Sequence, residues 1–410
     1  MVRLHPAGAA GRALAAAALA VAGAATAAPG ATPDWAAMPP GLLPQRLPVA
    51  EAGGAGWLVQ ARAADFSASD ATPVRGFGGD WARYHPRGGR NAALQQAGLE
   101  LSLQGVGWEL AAVLRGDLVV TGSRGSFDAV HAYKQRVAPA DGTVLDARAE
   151  AQGVVWAGLR AARSWTLLPA REAGAAGLRI TAALTPLQVR RVRLTGVQGS
   201  VQYDAATGYG FDATTLQQAS DRQFGGQGTR DATGSGVTTD LGLLWQPAPG
   251  WFANLSLVDA VSRLRVDGVA TEAMQLSSST RQLDARGYLD YKPLLTGRNS
   301  ASDLRLRLAR KWSATAGMPA ATLWAGAPAG SLVGARWERI DGLDLPAVWA
   351  ALPVTALGPG WRLQVDAETR WRSLGVGLQG PHAALWLRSS SLRPGQAAAL
   401  GWQASVNLPW

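Results

Sequence analysis

Histidine is the side chain most able to act as a base or a metal ligand near neutral pH, and this chain has only four. None of them has the spacing of a His-Glu-x-x-His metal motif. His382 lies closest to candidate nucleophiles, the serines at 389–391, but on one straight strand His382 and Ser389 point to opposite faces. No Gly-x-Ser-x-Gly nucleophile elbow occurs. A turn histidine beside a polar loop is therefore favoured over the active site of a hydrolase.

Paired carboxylates are the other arrangement that could perform catalysis. Asp366 and Glu368 share one face of a predicted strand, about 7 Å apart by strand rise, a separation that a glycosidase could use. Arg362 and Arg370 flank them, so a ladder of compensated charges is the plainer interpretation. The chain has no Cys, which excludes thiolate metal sites and cysteine nucleophiles. We therefore predict no catalytic residue, no metal, no cofactor and no enzyme activity.

The composition narrows the class of protein and its partners. With 47% apolar and 17% charged residues, the chain is too apolar for a disordered protein. Its 39 basic residues exceed its 29 acidic ones, but only three of the basic residues are lysines. No block of five like charges occurs, whereas nucleic-acid-binding proteins concentrate charge in a stripe. A nucleic-acid partner is not predicted.

The N-terminal segment predicts export. Arg3 and Arg12 precede an Ala-rich apolar run that ends in small residues at Ala25 and Ala27, which predicts a signal peptide over 1–27. Residues 28–56 follow with a high density of proline, which excludes a helix interior or a central strand. We interpret 28–56 as a periplasmic arm or a small plug.

The rest of the chain alternates apolar and polar residues with period two, which predicts half-buried β-strands. Trp108, Leu110 and Leu114 share one face of such a segment, with Glu109 and Arg115 on the other. The same alternation recurs near 99–103, 237–245, 304–308, 361–371 and 400–410. Tryptophan often lies near the ends of these segments, where an interfacial aromatic girdle would lie. A closed barrel would pair every backbone group in lipid.

The C-terminus carries the most localised motif. Apolar residues occupy every second position of the last predicted strand, which ends on an aromatic residue; they are Trp402, Ala404, Val406, Leu408 and Trp410. This pattern resembles the C-terminal β-signal of Gram-negative outer-membrane β-barrel proteins, porin-like in general character. The resemblance implies a location in the outer membrane, contact with its lipid, and recognition of the last strand by the barrel-insertion machinery.

Strand length sets the expected size of the barrel. Residues 57–410 at roughly 22 residues per strand and connection give about 16 strands, with a range of 14 to 18. The prediction is an all-β, transmembrane, antiparallel up-and-down barrel with short periplasmic turns. Longer extracellular loops are expected at 116–141 and 217–234. The face that carries the apolar residues changes at Arg372-Ser373, which predicts a bulge or a tight turn there.

Charged residues opposite the apolar faces are the candidate lumen lining. They are Arg62, Glu100, Glu109, Arg115, Asp240, Arg305, Arg307, Arg362, Asp366, Glu368 and Arg370. Arginines in a narrow pore favour anions, whereas cross-strand ion pairs would produce the same set of residues. The leading hypothesis is a passive or weakly selective pore for small hydrophilic solutes. The alternative is a non-conducting structural or assembly barrel of an envelope or secretion machine, with the arm or loops filling the lumen. An outer-membrane hydrolase is the third hypothesis.

Overall fold

The computed structural model describes residues 38–49, 56–79, 81–169, 177–221, 232–278, 281–283, 289–291 and 294–409. The predicted signal peptide, with its cleavage residues Ala25 and Ala27, and the flanks of the arm lie outside these ranges. Within them nearly every segment with alternating hydrophobicity is a β-strand. The helices of the described ranges are too short or too polar to cross a membrane.

The secondary structure is dominated by eighteen strands in the described ranges. They are β1 (Leu58–Ser69), β2 (Asn91–Gly105), β3 (Trp108–Gly122), β4 (Val144–Leu168), β5 (Gly177–Asp204), β6 (Gly208–Ala219), β7 (Gly234–Ala248), β8 (Trp251–Ser277), β9 (Arg281–Leu283), β10 (Leu289–Tyr291), β11 (Leu295–Leu306), β12 (Lys311–Pro319), β13 (Leu332–Ile340), β14 (Leu343–Pro353), β15 (Arg362–Glu368), β16 (Ser373–Gln379), β17 (Ala383–Ser389) and β18 (Ala399–Pro409). One α-helix, α1 (Arg124–Gln135), and short 3-10 turns at Val74–Gly76, Ala320–Thr322, Thr355–Leu357 and Pro394–Gln396 connect them.

Sixteen of these strands form one antiparallel sheet that closes on itself. The first strand pairs with the last over its whole length, from Leu58 opposite Pro409 to Ala68 opposite Ala399. Fourteen strands make the closed ring, and β6 and β11 extend the wall above β7 and β12. The predicted up-and-down barrel is confirmed. The ring has fewer strands than sixteen because β4, β5 and β8 are 25, 28 and 27 residues long.

The wall is interrupted at two neighbouring positions. The chain leaves it between β6 and β7, so the predicted loop at 217–234 is a departure from the middle of the wall and not a link between two full-length strands. The chain leaves the wall a second time between β11 and β12, at residues 307–310. Gln152 Nε2 of β4 donates to the carbonyl of Arg307 at 2.8 Å, which places this second segment over the lumen.

The two faces of the wall have opposite polarity. Along β3, the exposed Leu110 and Leu114 alternate with the buried Glu109, Arg115 and Asp117. Charged groups therefore face the interior and apolar groups face outward, which is the reverse of a soluble sandwich and suits a wall surrounded by lipid. Together with closure of the ring, this arrangement is that of a Gram-negative outer-membrane β-barrel, and the outer membrane is where the chain resides.

Tryptophans mark the periplasmic end of the barrel, where both described chain ends lie. Five of them are exposed there: Trp57, Trp108, Trp165, Trp245 and Trp251. Trp371, the last residue of the predicted strand at 361–371, does not take the girdle position expected for a tryptophan at a strand end, since it is buried in the interior with its ring centroid 5.9 Å from that of Phe66. The reason is the predicted tight turn: β15 ends at Glu368 and β16 begins at Ser373, so Trp371 belongs to the turn.

The extracellular end is partly covered by α1 and the β1–β2 loop. Trp81, Phe127 and Ala71 form a buried cluster there, with Tyr84 packed against it. Burial and a 2.7 Å hydrogen bond from the Tyr84 hydroxyl to Asp128 raise the pKa of Tyr84. The described part of the mouth is therefore covered in part by a small aromatic core.

The β2–β3 turn stores backbone strain that a substitution should relieve. Val106 and Gly107 both have positive φ, +48° and +75°, which β-branched valine tolerates poorly. Val106→Asn is expected to raise the free energy of unfolding by about 1 kcal/mol, measured by urea unfolding in lipid vesicles. Asp341 and Gly342 form a matching turn with φ of +48° and +75°. Asp341→Asn serves as the control, and an equal gain there would contradict the strain argument.

Candidate functional site: the occupied lumen

The segment 38–49 lies inside the barrel, and we call it the plug. Met38 packs against Phe252 and Trp349 near the periplasmic end. The chain then rises to Leu42 and Leu43, which lie in a buried cluster toward the extracellular half. It returns to Val49, near the periplasmic ends of β4 and β5. Both ends of the plug thus lie near the periplasmic end of the barrel, and its apex lies toward the extracellular half.

The apex of the plug is held by Glu338 of β13. Its two carboxylate oxygens accept the backbone N–H groups of Leu42 and Leu43, each at 3.0 Å. Glu338 is fully buried, and so is the neighbouring Arg336. Arg336 Nη1 donates to the carbonyls of Pro39 at 2.9 Å and Pro40 at 3.1 Å. One acid and one base of the wall therefore bind donors and acceptors of the plug backbone.

The returning limb of the plug is held by its only charged described side chain. Arg46 binds Glu109 with two parallel hydrogen bonds, at 3.1 Å and 2.8 Å. Its backbone N–H donates to Ser256 Oγ at 2.6 Å. Arg160 Nε donates to the same Glu109 at 2.8 Å and also pairs with Glu100. Bidentate arginine–carboxylate contacts are strong and geometrically specific, so this contact fixes the register of the plug.

Two glycines make room for the plug. A Cβ at Gly41 would lie 2.2 Å from Glu338 Oε1, so the apex can approach its acceptor only without a side chain. A Cβ at Gly242 of β7 would lie 2.6 Å from the carbonyl oxygen of Arg46. Close approach of two backbones commonly explains glycine inside a strand. The wall is therefore shaped around the returning limb.

A second buried network joins the plug anchor to β15 and β17. Arg336 Nη2 contacts Asp366 at 2.6 Å, and Arg388 pairs with the same carboxylate. Arg388 Nη1 also donates to Ser373 Oγ at 2.9 Å. Glu368 caps the β15–β16 turn by accepting the backbone N–H of Trp371 at 3.1 Å. The wall part of this network would stay intact if the plug left.

A third buried network lies where β11 and β12 separate. Asp259 has a φ of +58° and is fully buried in a bulge of β8, where the register shifts against β7. It pairs with Arg115, and Lys311 Nζ contacts it at 2.8 Å and Asp117 at 3.2 Å. Its own backbone N–H donates to Asp240 at 3.0 Å. The bulge thus places an acid between two cations inside the barrel.

Nine of the predicted lumen charges lie on the interior side of the wall or its extracellular rim. They are Arg62, Glu100, Glu109, Arg115, Asp240, Arg362, Asp366, Glu368 and Arg370. The structure brings Glu100 and Glu109 together through Arg160, and Asp366 and Glu368 into the network of Arg388. Arg362 lies apart from both, donating to the carbonyl of Gly330 at 2.9 Å.

The prediction that Arg305 and Arg307 line the lumen is wrong for Arg305, and Arg307 lies in the segment that leaves the wall. Both are exposed, whereas Leu304 and Leu308 are buried in an interior cluster with Trp156. This part of the wall rises beyond the apolar band, so its surroundings are polar and the apolar side chains turn inward. The alternation predicts correctly which residues share a face, but it does not show that the surroundings of the wall change with height.

The residues that sequence reasoning missed are the ones that complete the networks: Arg46, Arg160, Asp259, Lys311, Arg336, Glu338 and Arg388. The alternation of faces along β13 could have indicated that Glu338 faces the interior, since it alternates with the exposed Trp337. No periodic signal exists for Arg46, which lies in the proline-rich arm.

The C-terminal strand places its predicted signal residues on one face. Trp402, Ala404, Val406 and Leu408 lie opposite alternate residues of β1, while Trp410 lies outside the described residues. Recognition of this strand by insertion machinery stays a prediction.

The candidate hydrolase residues are far apart. His382 lies in the turn before β17, and Ser389 ends that strand at the opposite side of the membrane. Among the described residues no group of three His, Cys, Asp or Glu side chains could hold a metal ion.

Comparisons with known proteins give only distant structural likeness. No family model matches the chain, and no curated protein matches it. A deletion mutant of the TodX monoaromatic hydrocarbon channel aligns at 9% identity and a TM-score of 0.39, covering 86% of this chain and 89% of that one. The CymD monoaromatic hydrocarbon channel aligns at 12% and 0.37, covering 86% and 87%. A Pseudomonas aeruginosa FadL homologue aligns at 11% and 0.34, covering 87% and 89%. Likeness at this level carries no inference about what this chain binds.

Proposed function

We propose that this outer-membrane barrel is a channel that its own N-terminal segment closes, and that small hydrophilic solutes pass when the plug leaves. The observation that carries the proposal is that 38–49 occupies the lumen without adding a strand to the closed ring. Its departure would break side-chain contacts and leave every described ladder of the wall intact. Charged networks on the interior face would then meet water, as a polar lumen requires. A passive, permanently open pore is not favoured, because the plug occupies the path.

The residues that hold the plug do so through polar contacts, which supports reversible closure of the channel. Glu338, Arg336 and Glu109 bind the plug through hydrogen bonds, which water can replace when the segment moves. Hydrogen bonds to charged groups contribute about 1.5–3 kcal/mol each, so a small number of them can hold a plug that is still able to leave. No residue is proposed as catalytic.

A second candidate function is a non-conducting structural barrel. An apolar cluster of β3, β4, β5, β8 and β11 fills part of the extracellular half, including Trp156, Leu187 and Leu264. If this cluster blocks the path independently of the plug, removal of the plug would open nothing. The two candidates therefore differ in whether removal of the plug opens a conducting path.

Single-channel recording in planar bilayers separates them. The wild-type barrel is expected to be silent or to open rarely, and a variant lacking 38–49 is expected to give stepwise currents. Gly242→Val should also raise the open fraction, because its side chain would collide with the Arg46 carbonyl. Gly98→Val is the control, since the nearest atom to a Cβ at Gly98 is 3.9 Å away. Silence of the folded deletion variant would overturn the channel and favour the structural barrel.

A further inference from the structure

Five exposed arginines lie where β8, β11 and the segment 307–310 meet. They are Arg263, Arg265, Arg305, Arg307 and Arg310, and we call them the arginine patch. The residues that alternate with them, such as Leu264 and Leu304, are buried inside the barrel. Arg263, Arg265 and Arg305 therefore face the surroundings of the barrel, and the exposed Arg307 and Arg310 follow them in the segment that bends over the lumen.

The height of the patch corresponds to the outer boundary of the membrane. Trp251 begins β8 in the periplasmic girdle, and Arg263 follows twelve positions later. Two of these positions are taken up by the bulge, since Leu257 pairs with Leu241 and Val261 with Thr239. The other ten rise about 33 Å along the strand, or about 25 Å along the membrane normal at a tilt of about 40°. An apolar band is about 25 Å tall, so the patch begins where the band ends.

The outward residues directly below the patch support this boundary. Val261 is 58% exposed, and Trp312, two residues after Arg310, is 38% exposed. An apolar residue and an interfacial tryptophan thus lie beneath a row of cations. This is the order expected from the acyl region to the headgroup region of a leaflet.

The charge of the patch is not balanced by the described part of the protein. Arg265 pairs with Asp267 at 2.7 Å and with Asp303 at 3.0 Å. No ion pair joins Arg263, Arg305, Arg307 or Arg310 to an acid within the described ranges. Arg305 lies directly opposite Arg265 in the register, and like charges in that position destabilise a sheet.

Another strand of the wall, β5, shows how the chain neutralises exposed arginines with its own acid. Arg191 and Arg193 of β5 share Asp221, at 3.2 Å and 2.5 Å. The arginine patch has no such acid for four of its five members among the described residues. An external anion would remove the repulsion between Arg265 and Arg305.

We propose that the arginine patch binds phosphate groups of glycolipid in the outer leaflet. Guanidinium groups bind phosphate oxygens through paired hydrogen bonds, and cationic clusters at a membrane surface attract anionic headgroups. The site therefore anchors the barrel laterally to phosphorylated lipid at the side where β11 leaves the ring. It is independent of the plug and of the solute that passes.

Binding of bisphosphorylated lipid A to the full mature barrel in detergent tests the proposal, with titrations followed by native mass spectrometry. The variant with Arg263, Arg305, Arg307 and Arg310 changed to Gln is expected to bind at least tenfold more weakly than wild type. The control changes four exposed arginines away from the patch to Gln: Arg75, Arg83, Arg136 and Arg393. This control is expected to bind as wild type does, although its net charge falls equally.

Two further arms identify the source of the phosphate and guard against misfolding. Dephosphorylated lipid A should bind wild type as weakly as it binds the patch variant, and 10 mM inorganic phosphate alone should not displace lipid A. If the fourfold variant does not fold, Arg263→Gln with Arg305→Gln changes only exposed side chains and should still weaken binding. Equal binding by patch and control variants, equal binding of dephosphorylated lipid, or displacement by free phosphate would each overturn the proposal.

Discussion

Replacing Glu338 by alanine is expected to release the plug and to speed cleavage after Arg46 by trypsin about a hundredfold. The carboxylate accepts two backbone N–H groups of the apex, and both lose their partner in this variant. A net loss of about 3 kcal/mol for hydrogen bonds to a charged group corresponds to about a hundredfold larger open population. Proteolysis follows that population when opening and closing are fast compared with cleavage.

Cleavage by trypsin in the N-terminal segment reports specifically on the plug. Arg46 is the only lysine or arginine between residues 28 and 56, so one cut reports on the plug. N-terminal sequencing of the product should begin at Leu47. While the plug is seated, Arg46 is buried against Glu109 and protected. The same variant should also show more frequent openings in planar bilayers.

Glu368→Ala is the matched control for this prediction. Glu368 is another buried lumen glutamate that accepts backbone N–H groups, those of Arg370 and Trp371 in the β15–β16 turn. It has no hydrogen bond to the described plug. Its loss should lower the free energy of unfolding without changing the rate of cleavage after Arg46. Glu338→Gln should lie between wild type and alanine, since an amide oxygen still accepts one hydrogen bond. Equal protection of Glu338→Ala and wild type would show that this carboxylate does not hold the plug.

The barrel itself was predictable because its signal is local. Alternation along β3 puts Leu110 and Glu109 on opposite faces whatever the rest of the chain does, and the structure confirms it. The tight turn at 369–372 was predictable for the same reason, since a change of face requires a bulge or a turn. Strand length was less predictable, because β5 continues for 28 residues where the membrane needs about ten.

The site depends on information that alternation does not contain. Periodicity tells which residues share a face but not which solvent lies outside that face, so it predicts a lumen position for Arg305 although that residue points outward. The plug has no period at all, and proline density limits it only to an extended path. The contact between Arg46 and Glu109 depends on how a loop fits inside a closed ring, and no local sequence pattern specifies that fit.

The second large effect is expected from replacing Asp259 by asparagine, which should lower the free energy of unfolding of the barrel. Asp259 lies between Arg115 and Lys311 with no exposed surface, so neutralising it leaves buried cations with one acid fewer. Removing one partner of a buried ion pair typically costs about 3–5 kcal/mol, and a loss of that size in the free energy of unfolding is expected. Asparagine tolerates positive φ as aspartate does, so the change removes the charge without straining the bulge.

A double-mutant cycle with Lys311→Met tests whether the loss comes from the pair. If Lys311 is the main cation left uncompensated, the double variant should lose less than the sum of the two single changes, by about 1–3 kcal/mol. Asp344→Asn is the control, because Asp344 is half exposed and 3.8 Å from Arg339, and it should cost less than about 1 kcal/mol. Urea unfolding in vesicles, followed by tryptophan fluorescence, gives all four values. Additive losses would mean that the bulge and its packing, and not the charge between β8 and β12, hold this side of the wall.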